Sequence, residues 1–171
     1  EEIKSNKNIE NIYGLGIPGE TSEGLLKRID IELKPRNPNT IIIATGINDT
    51  IYIKSKNKEA VSQENFIKNI RKIIDIAKKY TNNILILGLT RVIEEHTTPI
   101  LWNNDEMYFN RTIEKYDTAL AEYCRRDNVE YLKMFDVLED EDFSDDGIHP
   151  NEKGHEKIYK DIKAKGENRY E

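Results

Sequence analysis

The sequence has a single cysteine and no long apolar run, and these two features exclude some classes of protein. One cysteine, Cys124, excludes an intrachain disulfide and suits a reducing compartment. No stretch approaches the ~20 apolar residues that a membrane-spanning helix needs, and no signal peptide is recognisable at the first residues. We therefore predict a protein without a membrane span and with a cytoplasmic location.

Basic residues and histidines are also scarce. The chain has 26 Lys and Arg against 32 Asp and Glu, a formal net charge of −6. Nucleic-acid-binding proteins usually concentrate Lys and Arg on one face, so no nucleic-acid partner is expected. Of the three histidines, His149 and His155 lie near Asp145 and Asp146 but six residues apart. Metal ligands on one helix face are three or four residues apart, so we predict no metal and no other cofactor.

What the sequence does contain is enough apolar residues for one core and a regular alternation of two periodicities. The 171 residues, 37% of them hydrophobic, suit a single domain over residues 1–171. Short apolar runs typical of strands alternate with amphipathic segments typical of helices. The predicted strands are 8–15, 40–45, 83–89 and 129–134, and the predicted helices are 22–33, 64–79, 108–126 and 151–164. This order predicts an α/β fold whose parallel sheet is covered on both faces, so that the strand TIIIAT at 40–45 is buried on both sides.

Three polar blocks follow predicted strands: GIPGETS at 16–22, TGIND at 45–49 and DGIHP at 146–150. Ligands of parallel α/β sheets bind beyond the carboxyl ends of the strands. The blocks are therefore expected to meet at one edge of the sheet. Taken singly, each has a purely structural interpretation: Asn48 and Asp49 as turn residues, Asp146 and His149 as loop-ordering and exposed groups.

In this order and spacing, the three blocks resemble those of the SGNH hydrolase (GDSL esterase/lipase) family along essentially the whole chain. The resemblance implies a three-layer α/β/α, flavodoxin-like sandwich. It also implies that Gly19 and Asn48 form an oxyanion hole and that Asp146 and His149 belong to a catalytic triad. The stretch ILGLTRVIEEHTTPILW is similar to a loop of that family, and places Trp102 and Ile100, with Leu101, at a substrate pocket. Trp102 could equally be a partly buried loop anchor.

The sequence departs from the family at one block. A Gly-Asp-Ser after an apolar first strand carries the family's nucleophile, and no Gly-Asp-Ser occurs in these 171 residues. The chain therefore resembles a domain that is incomplete at its N-terminus, with the first strand missing and no nucleophile of its own. Ser22, in Gly19-Glu-Thr-Ser22-Glu-Gly24, nearly matches Gly-x-Ser-x-Gly, but a serine or threonine here is better explained as a helix N-cap. Ser5 and Ser144 have no plausible triad geometry.

The resemblance implies a serine hydrolase of small carboxylic esters, inactive as this chain alone. Two other functions stay open: a non-catalytic member of the fold that binds an acyl or sugar ligand, and a carbohydrate deacetylase or acyltransferase. The family's strand order, 2-1-3-4-5, puts the missing strand between residues 9–15 and 40–45. The chain is then expected to take up a first strand of its own from outside this sequence, or one donated by another chain or a second copy. Alternatively, the second and third strands pair directly.

Overall fold

The structure, a computed structural model, describes residues 11–167. Its strands are β1 Ile41–Ile43, β2 Tyr52–Ile53, β3 Lys58–Glu59, β4 Ile84–Leu87, β5 Glu106–Met107 and β6 Glu130–Leu132. Its α-helices are α1 Ser22–Leu33, α2 Gln63–Ala77, α3 Glu94–Thr97, α4 Asn110–Arg126 and α5 Glu152–Glu167. Single 3-10 turns cover Ile47–Thr50, Lys54–Lys56 and Asp140–Asp142.

A parallel sheet in the order β1-β4-β6 forms the centre of the molecule and confirms the predicted α/β class. On one of its faces, Ile41, Ile43, Ile84 and Ile86 are buried under α1, α2 and α4. Phe66, Ile70, Ile73 and Ile74 of α2 are fully buried there, as the amphipathic spacing of that helix predicts. The larger core therefore lies on this face.

The opposite face is covered less completely. Ile158 and Ile162 of α5 pack on Leu85 and Leu87 of β4. Ile42 of β1 pairs in register with Leu85 and so points to the same face, yet it is 49% exposed. The prediction that this strand is buried on both faces is therefore wrong for β1, whose Ile42 side chain stays half exposed.

The edge of β1 that faces away from β4 is unpaired in the described part of the chain. The predicted strand at 8–15 is not found there: residues 11–15 form no strand, with Ile12 90% and Tyr13 55% exposed, and residues 8–10 lie outside the described range. A strand needs a partner for its main-chain N–H and C=O groups. The main-chain groups on this edge of β1 therefore have no strand partner among residues 11–167.

A second, small antiparallel sheet, β3-β2-β5, was not predicted. It links the segment after the 3-10 turn Ile47–Thr50 to the end of the loop between β4 and α4. Tyr52 pairs with Met107, which brings Tyr108 toward that turn. No helix within residues 11–167 is both long and apolar enough to cross a lipid bilayer.

Candidate active site

The loop between residues 143 and 151 holds a carboxylate against an imidazole. Asp146 Oδ2 lies 2.7 Å from His149 Nδ1, and Oδ1 accepts hydrogen bonds from the main-chain N–H groups of Ile148 (2.8 Å) and His149 (2.9 Å). Partial burial acts to raise the pKa of Asp146, but the bonds from His149 and Ile148 hold it below its ordinary value. An ionised Asp146 thus orients the ring and leaves Nε2 without a hydrogen-bond partner among the described residues, on a side chain that is 67% exposed.

The local sequence builds this loop through main-chain bonds. Gly147 has φ 69°, a left-handed conformation that glycine adopts at little cost, and its N–H donates to Ser144 O. Ser144 N–H in turn donates to His149 O, at 2.8 Å. Asn151 ends the loop: its Oδ1 accepts from Gly154 N–H in the first turn of α5. The Asp–His pair is therefore held on a closed turn at a helix N-terminus.

Trp102 lies against the imidazole. The Trp102 and His149 ring centroids are 6.4 Å apart with an interplanar angle of 29°. Trp102 is 60% and Leu101 68% exposed, whereas Ile100 is 2% exposed and belongs to the core. Of the pocket residues inferred from the family resemblance, Trp102 and Leu101 are therefore available to a ligand, while the Ile100 side chain is covered by protein.

The blocks that contain Gly19 and Asn48 are joined by a hydrogen bond. Gly19 is exposed and has φ 73°, and the next residue, Glu20, accepts a bond at its main-chain oxygen from Asn48 Nδ2 (3.0 Å). Asn48 Oδ1 accepts from the Tyr108 hydroxyl (2.8 Å). The structure thus brings these two oxyanion-hole candidates to neighbouring positions. Their convergence on His149 stays a prediction.

Asp49 joins the same two blocks a second time. It is fully buried, and its carboxylate accepts from the main-chain N–H of Ser22 (2.8 Å) and from the Ser22 hydroxyl. Burial raises the pKa of Asp49 to about 6, although the Ser22 bonds act against that rise. The first N–H groups of a helix lack intrahelical partners, so Asp49 caps α1 from another segment. The interpretation of Asp49 as a turn residue bonded to nearby backbone misses this contact, because Asp49 and Ser22 are 27 positions apart.

Ser22 is not accessible as a nucleophile. Its side chain is 0% exposed, and its hydroxyl also accepts a bond from Asn69 Nδ2 (2.9 Å). The N-cap position of α1 belongs to Thr21, whose side chain makes no capping bond. Ser22 is the first residue of the helix, bonded to Asp49, so the side-chain N-cap role predicted for this stretch is wrong. Ser5 lies outside the described residues.

The two remaining histidines do not enlarge the site. His96 and His155 are exposed. Over the described range, no group of three His, Cys, Asp or Glu side chains lies close enough together to hold a metal ion. The candidate catalytic groups stay those predicted from the sequence: Asp146, His149, Asn48 and the main-chain N–H of Gly19.

Comparison with solved structures shows which fold this is. A GDSL-like lipase from Bacteroides thetaiotaomicron superposes with a TM-score of 0.74 at 19% identity, covering 90% of this chain and 74% of that chain. An acetyl xylan esterase superposes with a TM-score of 0.68 at 16% identity, covering 88% of this chain and 78% of that chain. A catalytic mutant of an acetylxylan esterase from Geobacillus stearothermophilus superposes with a TM-score of 0.66 at 18% identity, covering 86% of this chain and 68% of that chain. At these identities the likeness shows the fold.

The sequence comparison goes further than the structural one. No curated protein sequence matches this chain. The sequence profile described as the GDSL-like Lipase/Acylhydrolase family, however, matches residues 3–157. That range covers most of the chain and includes all three polar blocks. The chain therefore belongs to the GDSL-like lipase/acylhydrolase family.

Proposed function

We propose that this chain supplies the acid–base pair and the oxyanion hole of a serine hydrolase that cleaves small carboxylic esters. The observation that carries the proposal is the 2.7 Å contact between Asp146 Oδ2 and His149 Nδ1 on an exposed imidazole. A carboxylate in that position fixes the tautomer of the ring so that Nε2 can accept a proton. Membership of a lipase and acylhydrolase family supports the same reaction class.

In the proposed reaction, a serine hydroxyl attacks the ester carbonyl and His149 Nε2 takes the hydroxyl proton. His149 returns that proton to the leaving alcohol, and an acyl-serine remains. Water then attacks the acyl-serine and gives a proton to His149 Nε2. As the acyl–oxygen bond to serine breaks and the carboxylic acid leaves, His149 returns that proton to the serine oxygen. Asp146 stabilises the imidazolium in both steps. Asn48 Nδ2 and the Gly19 N–H donate to the oxyanion, each worth about 10²–10³ in kcat.

The serine is proposed to arrive on a strand that pairs with the open edge of β1. Ile41 N–H donates to Asn83 O on the β4 side. In a parallel ladder the main-chain groups of the next residue, Ile42, therefore point to the opposite edge. The exposed Ile42 side chain offers an apolar surface beside that edge. A strand from this protein's own upstream sequence, from another chain or from a second copy would fit there.

Esterase assays test the function. A protein consisting of residues 1–171 alone is expected to show no serine-dependent hydrolysis of p-nitrophenyl acetate, because losing a triad serine costs about 10⁶ in kcat in a comparable triad. We call this chain, extended at its N-terminus by a strand, a Gly-Asp-Ser turn and a helix, the completed protein. It is expected to hydrolyse p-nitrophenyl acetate. His149→Ala should then abolish turnover. Labelling of Ser22 by a fluorophosphonate, with activity lost in Ser22→Ala, would contradict the assignment.

Assays on the completed protein also distinguish an ester hydrolase from a protein that only binds a ligand. If it folds but hydrolyses no ester, the non-catalytic function, binding of an acyl or sugar ligand, is favoured instead. Binding of acetate or of an acetylated sugar without turnover would be the corresponding positive result.

A carbohydrate deacetylase is a second candidate, favoured by the exposed Trp102 ring beside His149. Exposed aromatic rings offer an apolar face with polar surroundings to a ligand, and acetyl xylan esterases are among the similar structures. A deacetylase should release acetate from acetylated xylan, and Trp102→Ala should raise KM for that substrate more than for p-nitrophenyl acetate. Equal effects on both substrates would favour the simple esterase.

A further inference from the structure

We propose that Tyr108 is a positioning residue that sets the orientation of the Asn48 carboxamide. The inference rests on the proposed function only for the use of Asn48 at the oxyanion. The Tyr108 hydroxyl lies 2.8 Å from Asn48 Oδ1, and Tyr108 is only 3% exposed. Burial raises the pKa of Tyr108, so its hydroxyl keeps its proton over the physiological pH range and remains a donor.

The two ends of the Asn48 side chain have chemically distinct partners. Glu20 O is a main-chain carbonyl that can only accept, so the group 3.0 Å from it must be the amide nitrogen of Asn48. The Tyr108 hydroxyl then donates to the amide oxygen. A carboxamide nitrogen carries two hydrogens, and Glu20 O takes one of them. The other remains for the oxyanion, which needs a donor and would be repelled by the amide oxygen.

Tyr108 is itself fixed to the segment that contacts the Asp146–His149 loop. Its main-chain N–H donates to Thr97 O (3.1 Å), and its carbonyl accepts from the Thr97 hydroxyl (3.2 Å). Thr97 ends α3, and Ile93, just before α3, donates its N–H to Gly147 O (2.8 Å). One short helix therefore contacts Tyr108 at one end and the loop of His149 at the other. Tyr108 links the placement of Asn48 to the placement of the acid–base pair.

The test compares Tyr108→Phe with a matched control, Tyr52→Phe. The Tyr52 hydroxyl also donates to an asparagine oxygen, Asn57 Oδ1 (2.6 Å), but at an exposed position. In the completed protein, Tyr108→Phe should lower kcat for p-nitrophenyl acetate about five- to tenfold, the equivalent of one neutral hydrogen bond, with KM within about twofold. Tyr52→Phe should leave both constants unchanged.

A double-mutant cycle distinguishes positioning from general stability. Asn48→Ala should cost about 10²–10³ in kcat, and adding Tyr108→Phe to Asn48→Ala should cost nothing further, because the hydroxyl then has no amide to orient. If Tyr108→Phe lowers kcat equally with and without Asn48, the positioning role is wrong.

A second measurement does not depend on turnover. The side-chain amide protons of Asn48 can be followed by NMR in the completed protein labelled with ¹⁵N-asparagine. Tyr108→Phe should shift these resonances and speed their exchange with solvent, whereas Tyr52→Phe should not. Unchanged Asn48 resonances in Tyr108→Phe would overturn the inference even in an inactive protein. Absence of turnover with altered resonances would instead count against the proposed function.

Discussion

Asp49 places a carboxylate where no solvent reaches it, and the nearest groups that compensate belong to Ser22. The Ser22 N–H and hydroxyl lower the cost of the charge, and the loops around Gly19 and Asn48 are thereby joined. Burial still dominates, since the pKa of Asp49 is raised to about 6. The carboxylate that holds the two loops together therefore also makes the folded state sensitive to pH.

The stabilising contribution of Asp49 is expected to be lost as the pH rises. In the unfolded chain an aspartate titrates at about 3.9, and in the folded protein Asp49 titrates at about 6. The folded state therefore binds more protons between these values, and the contribution is fully present below about pH 3.9 and gone above about pH 6. The free energy of unfolding of the completed protein, minus that of Asp49→Asn, should fall by about 3 kcal/mol across this window.

Urea unfolding at several pH values measures that difference. Ser22→Ala, which removes a bond that favours the ionised form, should move the loss of stability to higher pH. Parallel stability curves for the wild type and Asp49→Asn would show that Asp49 does not titrate in this range.

At the scale of elements, the turn that carries Asp146 and His149 depends on one glycine. A Cβ on Gly147 would lie 2.8 Å from His96 Cβ and 3.0 Å from Ile93 Cβ, at φ 69°. Gly147→Ala is therefore expected to destabilise the fold by about 1–3 kcal/mol. Moving His149 by about an ångström should lower kcat by up to about 10²-fold.

Gly166→Ala is the matched control, because a Cβ at Gly166 in α5 meets nothing within 4 Å. It should leave kcat unchanged. Thermal unfolding and p-nitrophenyl acetate turnover of both variants check the expectation. If Gly147→Ala keeps the wild-type kcat, the turn accommodates the added methyl group without moving the imidazole.

Four of the five α-helices that the structure describes, and the three strands of the parallel sheet, could be predicted from local pattern. The apolar spacing of Leu25, Leu26, Ile29 and Leu33 predicts a helix over 22–33, and the structure has α1 over that range. The pairing of Asp146 with His149 is implied by the family resemblance and not by their spacing alone, which also suits an ordinary loop before a helix. The β3-β2-β5 sheet could not be predicted, since each strand is two residues long and too short to show a period. Tyr108 and Asn48, 60 positions apart, meet only through the tertiary fold.

At the scale of the whole molecule, the open edge of β1 predicts instability of the isolated chain. A central strand of about five residues buries three or four large side chains, at about 1.5–3 kcal/mol each. The stabilisation that such a strand would supply, about 5–12 kcal/mol, is comparable with the total stability of a typical domain, about 5–15 kcal/mol. Residues 1–171 alone are therefore not expected to form a stable monomer.

Denaturant unfolding of this polypeptide at micromolar concentration, with sedimentation to give its mass, measures that property. The completed protein is the control and should unfold cooperatively. A cooperative transition independent of concentration, from a species that sediments as a monomer of the short polypeptide, would contradict the expectation. It would also show that the sheet closes without an added strand.

The sequence has one tryptophan, and that residue is Trp102, stacked on His149. Fluorescence excited at the indole band therefore comes from the candidate active site and from nowhere else in the chain. His149→Ala removes the ring that stacks on Trp102 and should therefore change the emission. Without any attached dye, this protein therefore carries an optical reporter of the ring that stacks on Trp102 and of any ligand that displaces it.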